Sequence, residues 1–374
     1  MRTTKNSSYV MCAALASVVA SIAVAAEQPA FPAKPPVKDD GTMTTLSFEL
    51  PFSSFASGQA RDSFVKRLRT PMSMGGDIAK VRQGTDEKLA PQLEAAKSLY
   101  PYKSTKSTIG GVPVETFEPT SGIAPQNKDR VLINLHGGGF VAGGGGPGGS
   151  IESIPIAGEG RIKVISVDYR LAPEHRFPAA SEDVAAVYRE VLKTYRPENI
   201  GIFGCSAGGM LAGQSIAWFL KENLPLPGAI GVFCASLHTF AEGDSAQLWT
   251  RMGSVVPIVP PAKLDETFGR SMPYLAGVST KDPLAVPGAS KEVLKKFPPT
   301  MFLTGTRAPE MSGAAQSHLE LSELGVKSEL FLFDGLDHGF YSDTTFPESK
   351  LAYKLITKFF AGNLGADRSS RVKH

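Results

Sequence analysis

The six residues Gly204-Cys205-Ser206-Ala207-Gly208-Gly209 constrain this chain more than any other stretch. They follow an apolar, β-prone run, Asn199–Phe203, and precede Met210–Leu220, which has a helical composition. Strand, sharp turn and helix are the setting in which G-x-S-x-G acts as a nucleophile elbow. The turn is so tight that small residues must flank the serine. The Ser206 hydroxyl then stands above a sheet, at the positive end of the following helix. The plainer alternative is a glycine-rich turn carrying an ordinary serine. An elbow has a function only if the chain also supplies a base, an acid and donors for an oxyanion.

The surroundings suit a large α/β domain. A chain of 374 residues holds one such domain of about 250 residues plus additions. Hydrophobic residues at 42% and charged residues at 20% leave enough apolar material for a large core. A net charge of +3, scattered along the chain, gives no basic face for nucleic acid. Residues 1–26 have the form of a secretory signal, with basic Arg2 and Lys5, an apolar run from Val10 to Val24, and small residues at Ala23–Ala26. An uncleaved anchor is the alternative, but the run is short and ends in small residues. Export to a periplasm or the medium is therefore expected, with no stable membrane span after cleavage. Cys205 and Cys234 then remain, too few for a disulfide scaffold; they sit beside neighbouring strands, so a bridge is one reading in an oxidising compartment, and buried free thiols are the expected one.

Residues 27–44 read as a linker and 45–110 as a mostly helical segment, with helices over 60–68 and 88–99. From 111 to 365 strands alternate with helices. The strands are placed at 112–117, 131–135, 162–167, 199–203, 229–234, 299–304 and 329–333. Helices fall at 179–195, 312–324 and 348–360. Continuous apolar strands separated by helices predict a mostly parallel sheet covered on both faces. Residues 240–275 are too long for a simple connection and read as a lid insert. Residues 366–374 are a basic tail.

His136-Gly137-Gly138-Gly139-Phe140 follows the second of these strands. Glycines let backbone N–H groups approach a carbonyl oxygen as it becomes negative. Gly138 and Gly139, with the amide of Ala207, are the expected oxyanion hole; Gly137 is a weaker choice. Gly137, Gly139 and Ala142 also satisfy G-x-G-x-x-A, and Asp168 ends the next strand, as in a dinucleotide site. That reading needs a helix on those glycines. The run Gly143–Gly149 is expected not to hold one, and no Lys-Ser/Thr pair follows for a P-loop. Among six histidines, His136 precedes the glycine loop and is expected to brace it, while His338 follows the last strand and precedes a glycine, and it is the expected base. The acid should follow the strand at 300–304, where Glu310 is the only carboxylate in the loop. An acid near a helix start, placed there by the dipole, is the plain reading of Glu310. Asp334, Asp337, Glu242 and Asp244 are the remaining choices.

Together the residues resemble the hormone-sensitive-lipase-like family of α/β-hydrolases. The resemblance is carried by His136–Phe140, Val167–Glu174, Phe177–Ala180, Gly204–Gly209, Tyr274–Gly277, Asp282–Leu284, Pro298–Thr300 and His338–Phe340. It runs from about Val112 to Phe360. It implies an α/β-hydrolase fold with a helical cap, esterase activity on short acyl esters, a small-molecule ester as partner, and no cofactor or metal. It also makes Asp168, Arg170 and Glu174 structural. A ligand-binding homologue without turnover, or a hydrolase of amides or lactones, is the alternative. The oligomeric state is left open, a homodimer included. Two positions depart from the family pattern. Cys205 stands where the elbow usually has Asp. Ala308 stands where the acid normally lies, three residues after the glycine that ends the seventh strand. Glu310 would then have to reach back with its longer side chain.

Overall fold

The computed structural model describes residues 36–39, 41–43, 49–69, 77–240, 242–252 and 272–365. The expected signal segment 1–26, the tail 366–374 and most of the insert lie outside them. The chain divides into two units, Met1–Pro51 and Phe52–His374. In the first, Val37 and Met43 form an isolated antiparallel bridge. Everything below concerns the second.

That unit begins with helices α1 (Gly58–Arg69) and α2 (Ile78–Leu99). Strands β1 (Tyr102–Ile109), β2 (Val112–Pro119) and β3 (Val131–Leu135) follow. Next come α3 (Pro147–Gly160), β4 (Lys163–Val167), α4 (Ala179–Val191), β5 (Ile200–Cys205) and α5 (Ala207–Lys221). The chain continues through β6 (Ala229–Phe233), α6 (Gly243–Arg251), the short α7 (Lys291–Leu294), β7 (Thr300–Gly305) and α8 (Met311–Glu323). It closes with β8 (Ser328–Phe333) and α9 (Pro347–Asn363).

The eight strands form one sheet in the order β1-β2-β4-β3-β5-β6-β7-β8. The two pairings of β2 are antiparallel, and those from β4 through β8 are parallel. Strands β3, β5, β6 and β7 are buried throughout. Their side chains alternate between two cores. Val131, Ile133 and Leu135 pack with Val184 and Tyr188 of α4 and Leu211 and Phe219 of α5. Leu132, Phe203 and Leu303 turn to the other face, with Ile154 of α3 and Tyr353 and Phe360 of α9. Helices on both faces explain why these strands read as unbroken apolar runs. Among the described residues no helix is long and apolar enough to cross a membrane.

Two expectations are corrected. The end of the stretch expected to be helical is strand β1, paired in register with β2 from Tyr102↔Pro119 to Ile109↔Val112. Its interior is exposed on both faces, so it carries no apolar alternation. The glycine run does hold a helix, because α3 opens at Pro147 inside it. Proline fits the first helical position, where its missing N–H is not needed. Glycine is required there by close approach: a Cβ on Gly148 would lie 2.6 Å from Gly143 O, and one on Gly149 would lie 2.2 Å from Ser166 Oγ. Packing of α3 on the sheet thus overrides the poor helix propensity of its first turn.

The start of α5 is equally close to β3. A Cβ on Gly208 would sit 1.8 Å from Leu135 O. Gly208→Ala is therefore expected to cost more than about 3 kcal/mol, read as a lower midpoint in urea unfolding. An unchanged midpoint would mean that the helix is free to move away from β3.

Candidate active site

Strand β5 ends at Cys205 in the middle of the sheet, and the chain turns into α5 through Ser206. Ser206 has φ 61 and ψ −124, a region that non-glycine residues rarely occupy. Its backbone N–H donates to Phe233 O at 2.9 Å, anchoring the turn to β6. The sharp turn directs the hydroxyl away from the sheet, toward the loop that follows β8.

That loop carries His338. Its Nε2 lies 3.0 Å from Ser206 Oγ, and its Nδ1 lies 3.0 Å from Glu310 Oε2. Glu310 is fully buried, and its other oxygen accepts from Thr304 Oγ1 at 2.7 Å. Glu310 stands at the N-cap of α8, yet its side chain makes no capping bond. It is turned instead toward the imidazole. Ala308 is buried too and has nothing to offer the ring. Of the other candidates, Asp244 lies in the first turn of α6, and the remaining three are engaged elsewhere. Asp334 accepts from Thr306 and Ser53, Asp337 pairs with Arg67, and Glu242 accepts from Thr239. The hydrogen-bonded chain Glu310–His338–Ser206 thus brings together the serine, base and acid expected from the sequence.

Burial works against the charged imidazole of His338. The charge and hydrogen bond of Glu310 outweigh it, helped by Cys205 and Asp337, and the pKa is pushed up to about 9. The ring of Phe240 meets the imidazole edge-on, with centroids 5.2 Å apart.

The glycine loop lies against the elbow. A Cβ on Gly137 would meet Cys205 O at 3.1 Å and Ser206 Cβ at 3.5 Å. Gly138 and Gly139 have φ of 115 and 64, open to glycine at little cost. Among the described residues their amides donate to no backbone carbonyl. Ala207 is the first residue of α5, so its N–H has no acceptor within the helix. The three amides expected to form the oxyanion hole therefore stand beside Ser206 or on the loop packed against it.

His136 braces this loop. Its ring stacks on Tyr169 with centroids 4.2 Å apart, and Tyr169 OH donates to His136 O at 2.6 Å. Burial pulls its pKa down to about 4, so it is a neutral support. Phe140 stacks on Tyr274 at 4.3 Å, holding the far end of the loop. Arg170 is held by Asp183 and Glu182, and Glu174 by Arg82. Cys205 and Cys234 are free and buried beneath the elbow.

Three partners carried no sequence signal. Thr304 looked like an ordinary strand residue. Arg82 of α2 donates to Val141 O at 2.8 Å and Ala172 O at 3.1 Å, steadying the glycine loop. Arg67 of α1 pairs with Asp337, next to His338. A basic residue on a solvated helix announces no such contact.

Known proteins share this fold. The family profile described as alpha/beta hydrolase fold matches residues 132–342, more than half of the chain. A curated relative, versiconal hemiacetal acetate esterase of Emericella nidulans, is 34% identical over 121 residues, which span 31% of this chain and 39% of that one. Among solved structures, the esterase called E25 superposes with a TM-score of 0.72 at 28% identity, covering 86% of this chain and 99% of its own. An esterase from the bacterial hormone-sensitive lipase family gives 0.67 at 26% identity, covering 83% and 100%. With the eight-stranded sheet, the elbow on its central strand and these kin in view, the chain belongs to the alpha/beta hydrolase fold family, among its hormone-sensitive-lipase-like members.

Proposed function

We propose that this protein hydrolyses carboxylic esters with short acyl chains, through a Ser206–His338–Glu310 relay. The observation that carries the reading is the unbroken pair of 3.0 Å contacts from Glu310 through His338 to Ser206. In the first step Ser206 Oγ attacks the ester carbonyl while His338 Nε2 accepts its proton. The carbonyl oxygen, now negative, is met by the amides of Gly138, Gly139 and Ala207, each worth about 3–4 kcal/mol when lost. The imidazolium is stabilised by the buried Glu310 carboxylate on its other nitrogen. It then protonates the leaving alcohol, and the acyl group stays on Ser206. A water gives its proton to His338 and attacks the acyl carbon; the bond to Ser206 Oγ then breaks, His338 returns the proton to the serine, and the acid leaves.

Short acyl groups are favoured by the acetate ester in the name of the Emericella relative and by Phe240, which crowds the imidazole. The contact of Glu310 with His338 supports turnover over the ligand-binding alternative, which rested on Ala308.

A panel of p-nitrophenyl acetate, butyrate and octanoate, an acetanilide and a lactone tests the reading. The two short esters are expected to exceed the octanoate in kcat/KM by about ten-fold or more, with the anilide weakest. No turnover of any ester would overturn it. Preference for the lactone or the anilide would move the protein to another substrate class.

A further inference from the structure

The N-terminal helix α1 is packed on the outer side of the loop that carries His338. Ser53, just before the helix, donates to Asp334, and the N–H and hydroxyl of Ser57 donate to Glu348 at 2.6 and 2.9 Å. Gly335 approaches so closely that a Cβ there would lie 2.5 Å from Ser53 Cβ. Between these contacts the Arg307 guanidinium lies against the paired rings of Phe52, at 4.9 Å, and Phe64, at 5.0 Å. At the end of α1, Arg67 Nε meets Asp337 Oδ2 at 2.5 Å. Asp337 is the residue immediately before His338. Its side chain is only 16% exposed, and that of Arg67 is 31% exposed.

We propose that Arg67 is a positioning residue for His338: acting through Asp337, it ties α1 to the catalytic loop and balances the negative charge beside the imidazole. A carboxylate this deeply placed is costly to keep charged; with Arg67 absent its remaining partner is the imidazolium, so it would draw the proton to His338. The groups facing Asp337 are Arg67 from α1, Arg307 from the loop after β7, Glu310 at the start of α8, and His338 itself. Those facing His338 are Glu310, Asp337 and the Cys205 thiol. Arg67 is thus a cation of α1 in direct contact with this cluster.

The sign of the effect follows from charge. Removing Arg67 leaves the Asp337 charge unopposed, stabilises the imidazolium and raises the pKa of His338. Removing the Asp337 charge lowers it. A variant lacking both returns toward the starting value, because a balanced pair has been deleted. A purely structural role would make both single variants worse and the double no better.

The test uses the full chain with its histidines labelled at 13Cε1. The His338 signal is assigned by its loss in His338→Gln and followed by NMR against pH. In parallel, the acid limb of kcat/KM is measured with p-nitrophenyl acetate. For Arg67→Ala the His338 pKa is expected to rise by about 0.5–1 unit, for Asp337→Asn to fall by about as much, and for the double variant to lie near wild type. Arg67→Lys keeps the charge and should stay near wild type. Below the limb, kcat/KM of Arg67→Ala falls about 3–10-fold, and the gap closes as the pH is raised. Single variants that shift together, or not at all, while remaining folded would overturn the proposal. If Arg67→Ala does not fold, Asp337→Asn and Arg67→Lys decide it, since an unmoved His338 in Asp337→Asn is sufficient refutation. The proposal rests on His338 as base, but the NMR titration does not need turnover. A wild type that hydrolyses no ester would defeat the esterase reading and leave the titration to judge Arg67.

Discussion

Ser206→Ala is expected to lower kcat for p-nitrophenyl acetate by about 10⁶-fold, the scale on which serine hydrolases lose activity when the nucleophile is removed. Alanine keeps the Cβ, so the backbone at φ 61 is no more strained than before. The variant loses one hydrogen bond to His338, worth about 1 kcal/mol of stability, and should melt close to wild type. Activity should therefore vanish without unfolding. The residual rate should still exceed that of water, because the three amides remain able to polarise a bound carbonyl. A stopped-flow burst of p-nitrophenol, stoichiometric with wild-type enzyme, should be absent from the variant. If the variant turned over at the wild-type rate, the nucleophile would have to be sought elsewhere.

Glu310→Gln is the second large effect, and its direction follows from the hydrogen bonds around the carboxylate. Thr304 Oγ1 donates to one oxygen, and His338 Nδ1 meets the other. A glutamine would keep its amide oxygen toward Thr304, which leaves its NH₂ facing Nδ1. Nδ1 must then accept, so the ring proton moves to Nε2 and points at Ser206. A ring protonated there cannot take the serine proton, and an Asp-to-Asn change with this consequence lowers kcat about 10⁴-fold in a serine protease. The pH profile changes as well. Burial alone disfavours the imidazolium, and with the Glu310 charge gone nothing of comparable size opposes it. The acid limb, placed near pH 9 by the raised pKa of His338, should move down while the plateau collapses. Asp337→Asn leaves the relay untouched and should shift the limb without abolishing turnover. If Asp337→Asn abolished turnover while Glu310→Gln did not, Asp337 rather than Glu310 would be the acid.

The parts of this molecule that could be read from the chain are those encoded by local pattern. The elbow needs small residues at fixed spacing, and β3 and β5 need unbroken apolar runs, so both are visible one residue at a time. Strand β1 was hidden because Lys103–Thr108 is exposed on both faces and has no hydrophobic period. Helix α3 was hidden by glycines at 148 and 149 that serve packing rather than helix formation. The acid was legible only as a candidate, because spacing along a loop does not encode where a flexible side chain ends. The pair Arg67–Asp337 was invisible, since its partners lie on segments joined only by the finished fold.

The position of the acid has a consequence for how such proteins are sorted. Judged by the residue at 308, this chain is a pseudoenzyme, with alanine where a carboxylate is expected. Judged by where the oxygen atom lies, a carboxylate is present, because Glu310 leaves the backbone two residues later and delivers an oxygen to 3.0 Å from the imidazole. Homologues with alanine at this position should be set aside as inactive only after the residue that caps the following helix has been checked for a glutamate.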